Sequence, residues 1–230
     1  MTLTRADWDE VLLELTETLV PAGVTDIRED EGAAAYYRPR YNVAPTQAHP
    51  ILRGVAGPAR LGFALWGLLA SGRGKAPVIN ARAETVPFKS AFQDAFVSRR
   101  CVVPADGFFE WKTGPEGRQP LWFHRPDGKL LLLAGLFDEE LTTAKQPART
   151  RFAVLTTAPN RLLATVHDRM PALLSASDAA SWLVQPAQKL LRPAPDDLLL
   201  ATPVSLRVNS VRNDDPECLA PPRGSQMRLF

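Results

Sequence analysis

The spacing of apolar residues divides the chain into a helical start and a long β-rich middle. Apolar side chains recur at helical spacing from Trp8 to Leu19, and Thr4 precedes Asp7 in a capping pattern. We therefore predict a helix over about residues 4–19. From about residue 36 to residue 157, short apolar or alternating runs predict strands. These runs lie at residues 50–53, 61–66, 101–103, 107–112, 121–124, 129–137 and 152–157.

Helical signals interrupt and follow this β-rich region. Ser90 and Gln93 have the spacing of a capping box, and Phe92 and Phe96 fall on one face of the predicted helix. A helical turn is predicted at residues 160–166 and a further helix at residues 177–183, within a C-terminal part that spans 158–230. With no linker or repeat, the pattern predicts one α+β domain over residues 1–230. Its sheet is mostly antiparallel and barrel-like, with flanking helices.

Composition limits the class of protein. The chain has 230 residues, 45% of them apolar, which is enough to bury a full core. It lacks the basic-then-apolar start of a signal peptide and an apolar run of about 18 residues. The two cysteines, Cys101 and Cys218, are far apart, so we expect a reducing cytoplasm. The histidines are scattered, at 49, 124 and 167, and we expect no metal site.

Charge is distributed unevenly along the chain. Residues 1–35 hold two basic and nine acidic side chains, whereas residues 36–130 hold fourteen basic and six acidic ones. A local positive excess of this kind suits a groove that follows a phosphate backbone. The alternative is a solvated face with no polyanion partner.

Two polar segments suggest a site. Residues 40–46 contain a proline that favours a rigid turn over a helix. Residues 79–85, if extended, place Asn80, Arg82 and Glu84 on one face. Such a row of amide, guanidinium and carboxylate fits a binding site, but it also fits an ordinary exposed strand face.

A third segment places Glu110 between Phe109 and Trp111 within an apolar run. A partly desolvated carboxylate there would have a raised pKa, in the range of a general acid or base. The alternative is a solvent-facing carboxylate on a strand whose two aromatic neighbours point inward.

The fourth segment is His167-Asp168-Arg169-Met170-Pro171, in a predicted loop. The neighbouring carboxylate and guanidinium could tune or orient the imidazole. A structural histidine is the alternative.

Taken together, these motifs resemble those of the SRAP (SOS response-associated peptidase-like) family, the abasic-site processing proteins. The resemblance runs from about residue 36 to residue 213, most of the chain. The matching stretches are residues 40–45, 65–67, 79–85, 100–112, 167–171, 203–205 and 208–210.

The resemblance implies a sensor of abasic sites in single-stranded DNA that crosslinks through an N-terminal cysteine, forming a Schiff base and then a thiazolidine. By motif, Asn80 would hold the N-terminal residue and sense the sugar. Glu110 would act as general acid and base, and His167 would stabilise or protonate the ring-opened deoxyribose. The residues expected to contact DNA are Arg82, Arg40, Trp66, Asn42 and Arg169.

We expect no cofactor, no metal and no membrane partner. We expect a monomer in the cytoplasm that joins the nucleoid when it binds DNA. Two other functions stay open: a cysteine-type peptidase, whose natural reaction would be removal of its own initiator Met, and a non-catalytic single-stranded DNA-binding protein.

The start of the chain departs from the family pattern, which opens Met-Cys-Gly-Arg-aromatic. Here Met1 stands where the aromatic residue belongs and Thr2 follows, so about four residues, roughly 13 Å of extended chain, are missing. Thr2, exposed by loss of Met1, would lie short of the pocket. We expect a true start a few codons upstream; the alternative is a variant that binds without crosslinking. Cys101 is expected to be buried and unreactive.

Overall fold

A computed structural model describes residues 1–54, 58–69, 76–115, 117–140 and 149–222. The sequence Gly114-Pro115-Glu116-Gly117 predicts a turn, of which residue 116 lies outside the described residues. The helices are α1 (Trp8–Leu19), α2 (Ala33–Tyr36), α3 (Ser90–Ser98), α4 (Arg161–Ala164) and α5 (Ala176–Val184). The strands are β1 (Ile27–Glu29), β2 (Ala48–Arg53), β3 (Ala59–Trp66), β4 (Asn80–Arg82), β5 (Arg100–Ala105), β6 (Gly107–Gly114), β7 (Gly117–His124), β8 (Leu131–Glu140), β9 (Arg149–Thr157), β10 (Met170–Pro171) and β11 (Leu200–Pro203).

The main sheet closes into a barrel. Antiparallel pairings run in the order β3, β2, β5, β8, β9, and a short parallel pairing between β9 and β3 closes the ring, with Trp66 opposite Phe152. The strand β4 adds to β9 in parallel, placing Asn80 beside Val154. The predicted α+β fold with a mostly antiparallel, barrel-like sheet is therefore confirmed.

A second, antiparallel sheet of β6, β7 and β11 extends from one end of this barrel. It begins where β5 runs through Asp106 into β6, and the first residues of the chain pair with it. Thr2 bridges to Gly107, and Leu3 bridges to Arg40. The N-terminus is thereby held at the junction of the two sheets.

Two hydrophobic clusters follow from the alternation of side chains along the barrel strands. One contains Ile51, Val103 and Phe152 and fills the barrel. The other lies outside the barrel beneath the helices, where Trp8 of α1 and Trp182 of α5 are buried. Because β2 and β5 are buried on both faces, they appear in the sequence as nearly continuous apolar runs.

The N-terminal helix is confirmed, but its predicted cap is wrong. Asp7 caps α1 by accepting a hydrogen bond from the Glu10 amide. The amide of Thr4 instead donates to Asp106, whose carboxylate also binds Arg5 at 2.7 Å. This distant partner draws residues 1–5 into extended structure ahead of the helix.

The helix α3 is also present without the predicted capping box. Lys89 occupies its N-cap position, and no side chain caps the helix there. The predicted apolar face is confirmed, since Phe92 and Phe96 are both buried. The predicted turn at 160–166 appears as α4, capped by the Asn160 side chain.

The remaining sequence expectations concern the cysteines and membrane association. Cys101 is fully buried, as predicted, and burial raises the pKa of its thiol. In the part of the chain that the structure describes, no helix is long and apolar enough to span a membrane.

Candidate active site

A cavity of about 100 Å³ opens at the end of the barrel where the two sheets meet. The structure brings together five of the residues predicted from sequence, which come from three distant segments and β3. They are Trp66, Asn80, Glu110, His167 and Arg169. Met1 also lines this cavity.

The strand β4 positions the amide and one guanidinium. Asn80 and Arg82 are exposed on one face of the strand, while Ala81 between them is buried. Glu84 does not continue this row, because residues 83–85 leave the strand in a turn. The predicted row of three is therefore wrong at Glu84.

Trp66 forms one wall of the cavity. Its indole Nε1 donates to the Ile79 carbonyl at 2.9 Å, and its ring stacks on Phe152 with centroids 6.3 Å apart. The indole is therefore fixed next to the segment that precedes Asn80.

Glu110 projects from β6 on the face opposite its two aromatic neighbours. Phe109 and Trp111 are in ring contact with each other at 6.5 Å and pack with Val204 of the C-terminal segment. Phe109 still lines the cavity together with Glu110, as does Phe108, whose ring also belongs to the barrel core.

The electrostatic prediction for Glu110 is confirmed by its half-buried position. Burial raises the pKa of its carboxyl, and the interactions with His167 and Arg118 offset this only in part. A raised carboxyl pKa is what a general acid or base requires.

His167 lies in the loop after α4, where its amide donates to the Leu163 carbonyl at 2.9 Å. Its Nδ1 lies 3.0 Å from the Arg169 amide nitrogen, 3.1 Å from the Arg169 carbonyl oxygen and 3.3 Å from the Asp168 carboxylate. The neighbours of His167 therefore orient it, as the sequence suggested.

Arg169 forms hydrogen bonds with Glu84 and with the backbone. Its guanidinium donates to both carboxylate oxygens, at 2.9 and 2.8 Å, and to the Thr156 carbonyl at 2.5 Å. The hydrogen bonds from Arg169 lower the pKa of Glu84, which stays ionised. Of this pair, Arg169 lines the cavity and Glu84 does not.

The first two residues differ in their access to the cavity. Met1 lines it, and its α-amine donates to the Val43 carbonyl at 3.0 Å; burial lowers the pKa of this amine to about 5. Thr2 is fully buried, with its amide donating to Gly107 at 2.9 Å and its hydroxyl accepting from Trp122 at 3.1 Å. Thr2 is not among the residues that line the cavity, in agreement with the sequence expectation.

Two other predicted residues lie in the turn at 40–46, where Thr46 has a φ of 74°. Arg40 is largely buried and forms an ion pair with Asp214. Asn42 is buried, and its amide donates at 3.0, 3.2 and 3.0 Å to the carbonyls of Val208, Ser210 and Asn213. This geometry favours structural roles for Arg40 and Asn42, and their contact with DNA stays a prediction.

Sequence reasoning missed a buried histidine. His49 is fully buried within the barrel, its Nε2 lies 2.7 Å from the Pro104 carbonyl, and its Nδ1 has no partner among the described residues. Burial lowers its pKa to about 3, so the ring is neutral. The period-two alternation with Ile51 on β2 is the signal that could have placed it inside.

In the described segments, no group of three or more His, Cys, Asp or Glu side chains is arranged to hold a metal ion. The cavity presents amide, carboxyl, imidazole and guanidinium groups.

The model of the SOS response associated peptidase (SRAP) family matches residues 10–211. The chain belongs to the SRAP family. This confirms the resemblance inferred from the sequence motifs.

Curated SRAP relatives cover most of the chain. Abasic site processing protein YoqW of Bacillus subtilis (strain 168) is 37% identical over 194 residues, which are 80% of this chain and 86% of the relative. Abasic site processing protein HMCES of Gallus gallus is 32% identical over 227 residues, covering 80% of this chain and 67% of the relative.

A solved structure supports the SRAP fold. A protein from Bacteroides thetaiotaomicron superimposes with a TM-score of 0.79 at 21% identity, covering 96% of this chain and 98% of that one. At this identity the likeness shows the fold alone.

Proposed function

We propose that this chain recognises abasic sites in single-stranded DNA. The observation that carries the proposal is the meeting of Asn80, Glu110 and His167 around the N-terminal segment in one cavity. The names of YoqW and HMCES, both abasic site processing proteins, support the choice of substrate.

We further propose that a form carrying the family's N-terminal cysteine links covalently to the sugar. Its α-amine attacks the aldehyde carbon of the ring-opened deoxyribose, and the resulting carbinolamine loses water to give an imine. The thiol then adds across the C=N bond, its proton passes to nitrogen, and a thiazolidine ring closes.

Glu110 is suited to the dehydration step. Its raised pKa favours the protonated carboxyl over that of an ordinary glutamate, and this proton converts the departing hydroxyl to water. The same group serves crosslink reversal, in which its carboxylate takes the proton back as water adds to the imine. His167 would stabilise or protonate the ring-opened sugar, and Asn80 would hold the N-terminal residue.

DNA binding would combine charge with aromatic surface. Arg82 is exposed beside Asn80 and, among the described residues, makes no ion pair. Trp66 and Arg169 lie in the cavity wall, where they can meet the nucleotides around the abasic sugar.

One experiment tests the covalent step. The 230-residue chain is compared with an extended form in which Met-Cys-Gly-Arg-Tyr replaces Met1. Each is incubated with a single-stranded oligonucleotide containing an abasic site and run on a denaturing gel. A shifted band for the extended form alone supports the proposal that the N-terminal cysteine forms the crosslink. No band for either form overturns the crosslinking proposal.

Substitutions in the extended form test the residue roles. Glu110→Gln and His167→Ala should slow crosslinking at unchanged DNA affinity. Arg82→Ala should weaken binding and reduce the dependence of affinity on salt by about 0.7 in log–log slope. Arg28→Ala, which removes an exposed arginine paired with Asp26 in the acidic N-terminal part, is the matched control.

Binding without crosslinking is the second candidate, favoured by Met1 in the cavity and by the burial of Thr2. Tight binding of abasic oligonucleotide, with no covalent band for the chain as given, is the result this function requires. A peptidase acting on other proteins has no separate support in the geometry.

A further inference from the structure

We infer that single-stranded DNA extending from the abasic site crosses a second contact surface, on which Phe88 stacks against a base and Lys89 and Lys189 contact phosphates. These three residues are called the Phe88 platform. The inference rests on the proposed function and adds a contact surface outside the cavity.

The backbone under Phe88 is continuous with the cavity. Phe88 ends a 3-10 turn whose amide donates to the Thr85 carbonyl at 3.1 Å, and the Thr85 amide donates to the Arg82 carbonyl at 3.1 Å. Arg82 belongs to β4, the strand that carries Asn80 into the cavity. The turn is thus built directly on the strand of the site.

The ring of Phe88 is held out in solvent. Its residue is 78% exposed, while Val86, two positions earlier in the same turn, is fully buried. Because Val86 is buried in the same turn, the backbone that carries the Phe88 ring is held in a fixed position. A single exposed aromatic is common on protein surfaces, so its surroundings decide its meaning.

Another segment places a further cation next to the turn that follows β4. The Gln188 amide donates to the carbonyls of Ala83 and Glu84, at 3.2 and 3.4 Å, which ties the 3-10 turn Gln188–Leu190 to the turn after β4. Leu190 is buried, and Lys189 between these two anchored residues is exposed.

The charge around Phe88 favours a polyanion. Arg82, Lys89 and Lys189 are exposed, and in the described parts of the chain none of them forms an ion pair. The nearby carboxylate of Glu84 is already neutralised by Arg169. Exposed cations around an aromatic face are the features by which proteins bind single strands without base preference.

Tyr36 provides an internal comparison. It is also 78% exposed, but its pocket is lined by Leu3 and Phe63 and shares no residue with the cavity that contains Asn80 and Glu110. The two aromatics therefore differ in their relation to the site at equal exposure, which makes Tyr36 the matched control.

The test uses single-stranded oligonucleotides with one tetrahydrofuran abasic-site analogue, which cannot form an imine. Each carries 2-aminopurine at one of several positions on either side of the analogue. We expect binding of the wild-type chain to quench the fluorescence at one or two positions on one side. Phe88→Leu should abolish that quenching and weaken binding about tenfold, whereas Tyr36→Leu should change neither.

Salt dependence tests the cations separately. Lys89→Ala and Lys189→Ala should each lower the log–log salt slope by about 0.7, the value for one phosphate contact on a single strand. An unchanged slope in both variants would overturn the phosphate contacts.

The outcomes separate this inference from the function on which it rests. If the wild-type chain fails to bind the oligonucleotide, the proposed function is wrong and the platform with it. If the wild type binds and Phe88→Leu matches it in affinity and quenching, the platform alone is wrong. Equal losses in Phe88→Leu and Tyr36→Leu would also overturn it.

Discussion

Arg169 donates two hydrogen bonds to Glu84, from Nη1 to Oε1 at 2.9 Å and from Nη2 to Oε2 at 2.8 Å. The pair stands between the cavity and the turn that leads to Phe88. The geometry leaves the arginine largely shielded, at 20% side-chain exposure, and the glutamate half exposed, at 51%. The partners therefore differ in how directly they can meet a ligand.

Opposite charge changes at this pair should have unequal effects. Arg169→Gln removes a cation from the cavity wall, and we expect binding of abasic single-stranded DNA to weaken about tenfold. Glu84→Gln leaves the guanidinium bonded to the Thr156 carbonyl, so affinity should stay within about twofold of wild type. Fluorescence anisotropy at fixed salt measures both. Equal weakening in the two variants would contradict this expectation, because it would mean that DNA binding requires the intact ion pair and not the Arg169 charge alone.

Glu110 should lower the stability of the fold at neutral pH. Because its folded-state pKa is raised, the native state holds the proton more tightly than the unfolded chain. Stability is therefore lost as pH rises from the ordinary glutamate pKa through the raised one. We expect Glu110→Gln to unfold at higher urea concentration than wild type at pH 8 and at the same concentration at pH 3.5. A gap that is widest at low pH would contradict the assignment.

Asn42 should matter for stability more than for DNA. Asn42→Ala leaves three carbonyls of the C-terminal segment without their donor, and we expect a loss of about 2–3 kcal/mol in unfolding free energy. Well below the unfolding temperature, DNA affinity should be unchanged. Arg82→Ala should show the reverse pattern, with stability within about 0.5 kcal/mol of wild type. If Asn42→Ala weakens binding while the fold stays stable, its predicted role at the DNA is correct.

His49 should make the protein sensitive to acid. Its pKa falls from 6.5 in the unfolded chain to about 3 in the barrel, so the unfolded chain takes up the proton first. Between these values the residue removes about 1.4 kcal/mol of stability for each pH unit of acidification. His49→Leu should flatten the stability profile in this window. Urea titrations of both forms from pH 7 to pH 4 measure the difference, and parallel profiles would exclude the effect.

Local pattern predicted the parts of the site that depend on strand alternation. Asn80 and Arg82 share a face because β4 is extended, and the raised pKa of Glu110 follows from its place in an apolar strand. The pattern could not show that β6 turns Phe109 and Trp111 toward the C-terminal segment, since that segment lies about a hundred residues later.

Long-range partners also explain the predictions that were wrong or unsupported. Arg40 meets Asp214 across a sequence separation of 174 residues, and Thr4 meets Asp106 across 102. Nothing in the local composition around Arg40 distinguishes an arginine committed to a distant carboxylate from one that faces DNA. Likewise, a serine or threonine at capping spacing loses that role when a distant group binds the backbone instead.

The pairing of Thr2 with Gly107, 105 residues along the chain, sets the order in which the cavity forms during synthesis. Residues leave the ribosome N-terminal first, at roughly 5–20 per second. Roughly 5–20 s therefore pass between the synthesis of Thr2 and that of Gly107, its partner in β6. The interval is longer for residues 167–171, which include the last residues of the cavity wall. A nascent chain therefore exposes its first residues well before the cavity around them exists, and the cavity is complete only when most of the chain has been made.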